Sequence, residues 1–589
     1  MNTEWSLEVY YKGYDDPAFA EDLKLLEVRA AGLEKALNKA RTQDDKTGLV
    51  TVIHAMEDYT SVMRKVGEYV FLRESVDTTE GKTKDYLGRI NKIDASTTKA
   101  NTAICKYIAG VKNLESCIKA DPLLAEYAFQ LRNIKERNKY NFDDDIEAMI
   151  SKMNLSGGNA WSKLFDYLTS TVKADYDGKE LTLPAVRNLA YDADSEVRKK
   201  AYYAELACYK KIEGPIAFAL NSIKSQVRML SQERGYASPL AMTLEQSNMK
   251  QETLDAMFGA MQEYLPQFHK YLRAKAKYLG YSGGLPWYDM FAPLGKTDKT
   301  YTIEEAKECL LESFGAFSKD MSDMMKRAFE EGWIDFYPHE GKVGGAFCED
   351  VSHTGESRIL TNFNGSFDAV DTLAHELGHA YHATQTASHR ILNRSYPMQV
   401  AETASTFNET HITLRAINNA QGDEKLALLD SFLTNTTQTI CDIYSRFLFE
   451  DAVFGACNDR FLMPEDLKEI MLDAQKKAYG DGLDSNYLHP YMWACKGHYY
   501  SEDLSYYNFP YAFGAMLSMG LYSQYEKEGE AFIPKYNKFL HATSVMSVED
   551  TAAVAGIDLT NKDFWRESLQ SFSKLVDEFV SLVNCLYTV

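Results

Sequence analysis

The chain has 589 residues, 45% of them apolar and 25% charged, with a formal net charge of −21. That composition excludes a disordered, collagen-like or membrane-bundle chain, and the acidity argues against a nucleic-acid partner, since such a surface repels phosphate backbones. Only 34 glycines and 14 prolines punctuate the chain, so long helices are expected.

The first residues carry early acids and no apolar segment, so no signal peptide is expected. Pro17 to about Thr42 and Leu49 to about Ser75 repeat apolar residues at a 3.6-residue period, which predicts amphipathic helices. Asp121-Pro122 breaks and restarts a helix, and Ser156-Gly157-Gly158 is a second break. Asp177-Gly178, between Val172 and Leu181, predicts a hairpin turn. Asp192–Lys211 returns to helix, with Ser195 as its expected cap. Residues 215–335 again read helical, interrupted by Tyr281–Pro286 and by the loop Trp287–Pro293. Between Glu340 and Phe363 the pattern turns β-prone behind Gly341, Gly344 and Gly345, so a small antiparallel hairpin with Asp350–Glu356 as its loop is expected. From Ser366 onward the pattern is helical almost to the end. Nine scattered cysteines without a CxxC pair read as reduced thiols, and no apolar run is long enough to cross a membrane. A soluble, cytoplasmic protein without a membrane partner is expected.

The most informative segment is His375-Glu376-Leu377-Gly378-His379, an HExxH pattern. On a helix, residues four apart share a face, so His375 and His379 can hold one Zn²⁺, with Glu376 placed to act on a metal-held water. Ser366 is a good N-cap for that helix, and Val370, Leu373, Leu377 and Tyr381 form an apolar stripe separate from the histidine face. A catalytic zinc needs a third protein ligand. The segment Ala401–Glu409 follows a loop centred on Tyr396-Pro397 and offers Glu402 and Glu409, seven apart on one face. One of the two can bind metal while the other hydrogen-bonds a ligand histidine. His382 faces the same way as His375 but lies a full turn beyond His379, so a second-shell or structural role is expected.

Asn362-Phe363-Asn364-Gly365, the run from His375 through His382, and Ala401-Glu402-Thr403-Ala404-Ser405-Thr406 closely resemble the oligoendopeptidase F group of thimet-oligopeptidase-like zinc metallopeptidases. The resemblance extends to Trp287–Leu294, more loosely to Asp192–Tyr202, and covers about residues 190–589. It implies Glu402 as the third zinc ligand and Glu409 as the second-shell carboxylate. It also implies His498, Tyr507 and Tyr511 as donors to the oxyanion of the tetrahedral intermediate. Tyr499 and Tyr506, in the same aromatic cluster, fit core packing instead. Relatives of the thimet type carry glycines in the adjoining loop; Ser501–Ser505 has none, so the loop mobility of those relatives is not carried over. Gly344, Gly345, Ala346 and Phe347 can offer an edge whose backbone pairs with an extended peptide.

The expected architecture is mostly α, a two-lobed zincin-type peptidase with one small antiparallel sheet beside the HExxH helix and a deep central channel. The N-terminal helical region spans 1–189 and the catalytic domain 190–589. The expected activity is zinc-dependent endopeptidase cleavage of short unstructured peptides, with one Zn²⁺ per chain and Glu376 as general base. Two alternatives are a related helical zinc carboxypeptidase, which would need a cationic pocket for the substrate's terminal carboxylate, and a non-catalytic zinc-bearing scaffold, which would not need Glu376.

Overall fold

Long stretches rich in Ala, Leu, Lys and Glu meet few helix breakers, and the chain is accordingly mostly helical. The computed structural model describes residues 2–295 and 299–586, with the side chain of residue 586 left aside. Two small sheets occur among the described residues, built from β1 (Lys173–Tyr176), β2 (Lys179–Thr182), β3 (Ile334–Asp335), β4 (Phe347–Val351) and β5 (Glu356–Leu360). No described helix is long and apolar enough to cross a membrane.

The chain forms two compact units, each drawn from three stretches. The first comprises residues 1–139, 299–412 and 524–556; the second comprises 140–298, 413–523 and 557–589. The expected division at 189/190 falls inside the second unit.

In the first unit the helices Pro17–Ala40, Asp45–Val76 and Gly81–Gly110 pack around Phe19, Leu26, Leu33, Val70 and Ile104. Val351 and Leu360 belong to the same buried cluster, so these helices back the three-stranded sheet. Polar contacts reinforce that seam: Glu68 accepts hydrogen bonds from Tyr10 Oη (3.1 Å) and from the Ser352 backbone N–H (3.2 Å).

That sheet has the order β3-β5-β4. β4 and β5 pair antiparallel from Phe347↔Leu360 to Val351↔Glu356, so the hairpin loop is shorter than the sequence suggested. The sheet is mixed rather than purely antiparallel, because β3 joins β5 in parallel through Ile334↔Ile359. Two residues are too few to show a strand period, and burial of Trp333, Ile334 and Phe336 is what fixes β3 in place. β4 is an edge strand. The turn before it contains Gly345 at φ +81°, and Asn362 Nδ2 donates to the Val343 and Gly345 carbonyls.

In the second unit, Asp177 (φ +51°) and Gly178 (φ +77°) make the two-residue turn of the β1–β2 hairpin, whose strands pair from Tyr176↔Lys179 outward. The helix Ser195–Lys210 is capped by Asp194, which accepts from the Glu196 N–H, so the cap lies one residue before the expected Ser195. Arg198 on that helix donates Nε to Asp289 Oδ1 at 2.8 Å, with both side chains buried. This pair joins Asp192–Tyr202 to the loop Trp287–Pro293.

Candidate metal centre

The helix Phe367–Thr386 begins where the sequence suggested: Ser366 Oγ accepts from the Ala369 N–H at 3.2 Å. Val370, Leu373, Leu377 and Tyr381 are all buried, which turns His375 and His379 toward a different face. A short helix Met398–Ala401 follows Pro397, Glu402 breaks it, and Thr403–Asn419 continues beyond. The two helical segments approach closely at Gly378. A Cβ there would lie 2.6 Å from Ala404 O and 2.6 Å from Ser405 Cα, so only glycine permits the contact. Asn408 Nδ2 donates to Ala374 O at 3.0 Å and locks the register.

The crossing brings three side chains together. His375 Nε2 lies 3.2 Å from His379 Nε2 and 3.4 Å from Glu402 Oε2, and His379 Nε2 lies 3.2 Å from Glu402 Oε2. A tetrahedral zinc with bonds of about 2.0–2.1 Å spaces its ligand atoms about 3.3 Å apart, so the triangle fits that ion. It is the one group of His, Cys, Asp or Glu side chains among the described residues with this ligand geometry. Ser405 Oγ donates to Glu402 Oε2 at 2.8 Å and holds the carboxylate in place. His375 Nδ1 donates to Glu409 Oε1 at 2.9 Å, which leaves the Nε2 lone pair for a metal.

The electrostatics agree with a cation at this point. Burial pulls the His375 imidazole down, but the Glu402 and Glu409 carboxylates outweigh it and push it up to about 10. Burial raises the Glu402 carboxyl, and the two histidines outweigh that and hold it well below the usual carboxylate range. Glu376 is 5% exposed, and its burial raises its carboxyl above the ordinary value.

The triangle lines a cavity of about 300 Å³ with Glu376, Ala346, Phe347, Cys348, Asp350 and Tyr396. Gly344 and Gly345 form the turn leading into it. Cys348 and Asp350 were missed in the sequence; their period-2 spacing within β4 is the signal that would have placed them on one face. His382 does not join the triangle. It is fully buried, stacks on Tyr396 with centroids 4.0 Å apart, and bonds Thr543 Oγ1 at 2.8 Å.

His498, Tyr507 and Tyr511 belong to the second unit and contact one another there. Ring centroids are 5.2 Å apart for His498–Tyr507, 5.8 Å for His498–Tyr511 and 5.7 Å for Tyr507–Tyr511. The helix Phe509–Glu528 starts after Tyr507, so the two tyrosines meet across a helix start rather than along a helix face. Burial, with Arg446 and Lys496 nearby, pulls His498 down to about 4, leaving a neutral imidazole at pH 7. Sequence reasoning missed what holds this segment. Glu450, fully buried and paired with Lys224 at 2.6 Å, accepts from the Tyr506 N–H and from Asn508 Nδ2, both at 3.0 Å. Tyr506 adopts φ +54° between these anchors.

The sequence model of peptidase family M3 matches residues 188–571, more than half of the chain, and a model described as oligopeptidase F matches 110–173. The chain is 24% identical to oligopeptidase PepF of Bacillus subtilis over 98% of its own length and 87% of the relative's. It is 25% identical to group B oligopeptidase PepB of Streptococcus agalactiae, covering 96% of each. In structure it resembles a protein of Chlamydophila abortus (TM-score 0.87, 20% identity, 98% of each chain). It also resembles oligoendopeptidase-F of Enterococcus faecium (TM-score 0.71, 18% identity, 96% of this chain and 99% of that one), so the fold is shared.

Proposed function

The chain belongs to peptidase family M3 and is a metalloendopeptidase, and from that premise we propose that it is a zinc enzyme cutting short, unstructured peptides with Glu376 as general base. The observation that carries this reading is the tetrahedral spacing of His375, His379 and Glu402 beside Glu376. Zn²⁺ bound by those three residues would polarise the scissile carbonyl and acidify a water.

The chain's own groups then do the proton work. Glu376 takes a proton from the attacking water and passes it to the departing amine; its raised basicity suits both transfers. Glu409 orients His375. The turn Gly344-Gly345 and the edge residues Ala346 and Phe347 pair with substrate main chain, so recognition follows backbone rather than sequence. His498, Tyr507 and Tyr511 are assigned to the oxyanion, with neutral His498 donating through its ring N–H. His382 supports the fold around the site. The oligopeptidase names of the relatives support short peptides as substrates. Nine cysteines outside any disulfide support a reducing, cytoplasmic setting.

The test is a digest of a mixed peptide library mapped by mass spectrometry, with metal analysis of the same sample. One zinc per chain and internal cuts in peptides of about 6–20 residues are expected, with folded or denatured proteins cut far more slowly. Rapid cleavage of denatured casein, or cuts confined to the last residue, would contradict the reading.

A further inference from the structure

The second unit contains a cavity of about 940 Å³ that the proposed chemistry does not use. Aromatic side chains form much of its wall, including Tyr202, Tyr209, Trp287, Tyr288 and Phe291. Four cations also line it: Arg187, Arg198, Arg446 and Lys496. Three of them have a carboxylate partner. Arg198 pairs with Asp289 at 2.8 Å, Arg187 with Glu205 at 3.2 Å, and Arg446 with Asp442. The Lys496 ammonium has no hydrogen-bond or ion-pair partner among the described residues, and burial pulls it below the usual lysine value. Arg446 Nε is likewise buried without a partner. The acids lining the cavity are Glu205, already paired, and Asp166, on the exposed side.

This arrangement runs against the rest of the molecule. A chain of net charge −21 repels anions in general, yet here it keeps a desolvated cation unpaired against an apolar wall. Lys496 is half-buried, and a partly desolvated cation without a partner is costly; an anionic ligand reduces that cost. The wall of rings selects what the anion is attached to. Among peptides the group with both features is the C-terminus. We propose that this cavity binds the C-terminal carboxylate of a peptide through Lys496, with an aromatic or large apolar last residue seated against Tyr202, Trp287 and Tyr288. The proposal rests on the reading of the protein as a peptidase for short peptides, whose free ends are always within reach.

The probe is N-acetyl-phenylalanine, compared with its amide and with inorganic phosphate, titrated into the zinc-loaded full chain and followed by ligand-observed NMR. The free acid should bind about 10–100-fold more tightly than the amide, the range of a charge-assisted bond, and phosphate should compete poorly because it lacks the ring. Lys496→Met should bring acid and amide to equal affinity. Glu205→Gln, which adds to the positive field, should tighten the acid alone, and it decides the question if Lys496→Met does not fold. Equal binding of acid and amide by the wild type, or a preference for the acid that neither substitution alters, would overturn the proposal. Peptide cleavage is scored separately: turnover without this binding sinks the cavity assignment alone, and binding without turnover sinks the peptidase reading.

Discussion

Tyr511 keeps 42% of its surface exposed, whereas Tyr499, Tyr500 and Tyr506 are buried. That contrast is what the proposed oxyanion role needs, since the other three rings fill the core. Tyr511→Phe removes one donor and leaves the contacts with His498 and Tyr507 in place, so thermal stability should hold. Turnover should fall about 10²–10³-fold, since losing one oxyanion donor costs about 2.7–4 kcal/mol, and KM should move little. A normal kcat would pass the role to Tyr507 or His498. Glu349 and Glu68 pose a different residue-scale question. Burial and the neighbouring Asp350 carboxylate push Glu349 up to about 8 and Glu68 up to about 7. Both values exceed those of an unfolded chain, so the folded state holds these protons more tightly. The stability linked to them is present below about pH 4.5 and is lost as pH rises through about 8. Glu349→Gln should therefore match wild type in calorimetry at pH 5 and melt higher at pH 8.5. A melting difference that does not change with pH would show that Glu349 is not the titrating group.

At the scale of elements, the proposed metal triangle depends on how two helical segments cross. His375 and His379 come from one segment and Glu402 from the break in the other, and the backbones meet at Gly378. Gly378→Ala would force them apart, because the atoms met are main chain and cannot swing away. Overpacking of this kind typically costs about 1–3 kcal/mol. Zinc affinity should fall with stability, measured by competition with a chelator. Gly32→Ala is the control: nothing lies within 4 Å of its added Cβ, and a helix interior favours alanine. Undiminished zinc affinity in Gly378→Ala would mean that Glu402 is placed by some other contact. Most of this element was legible in the sequence. The Ser366 cap, the apolar stripe and the four-residue histidine spacing are local signals. The seven-residue spacing of Glu402 and Glu409 narrowed the remaining ligands to two, and the contact of Glu409 with His375 Nδ1 favours Glu402 at the metal. β3 was not legible, because two residues paired in parallel across a long separation carry no period.

For the whole molecule, the order of the chain conceals how it is assembled. Residues 1–139, part of the N-terminal helical region expected over 1–189, share a compact unit with the HExxH helix and back its sheet. The cavity of the second unit draws on segments near residues 165–209, 287–291, 435–446 and 489–496, and no local pattern links them. Glu450, which fixes Tyr506 and Asn508, is equally silent, since its partner Lys224 lies 226 residues away in the chain. What the sequence could show was chemistry carried by short spacings; what it could not show were contacts made by distant stretches. The shortest spacing of all places Glu376 beside the proposed metal triangle. The direct measurement is single-turnover cleavage of a peptide by Glu376→Gln, with zinc content and peptide affinity determined on the same preparation. The variant should retain one zinc per chain and near-normal peptide affinity while turnover falls about 10²–10⁴-fold, the usual contribution of general acid–base catalysis. Turnover within about tenfold of wild type, with zinc retained, would remove Glu376 as the base and contradict the account.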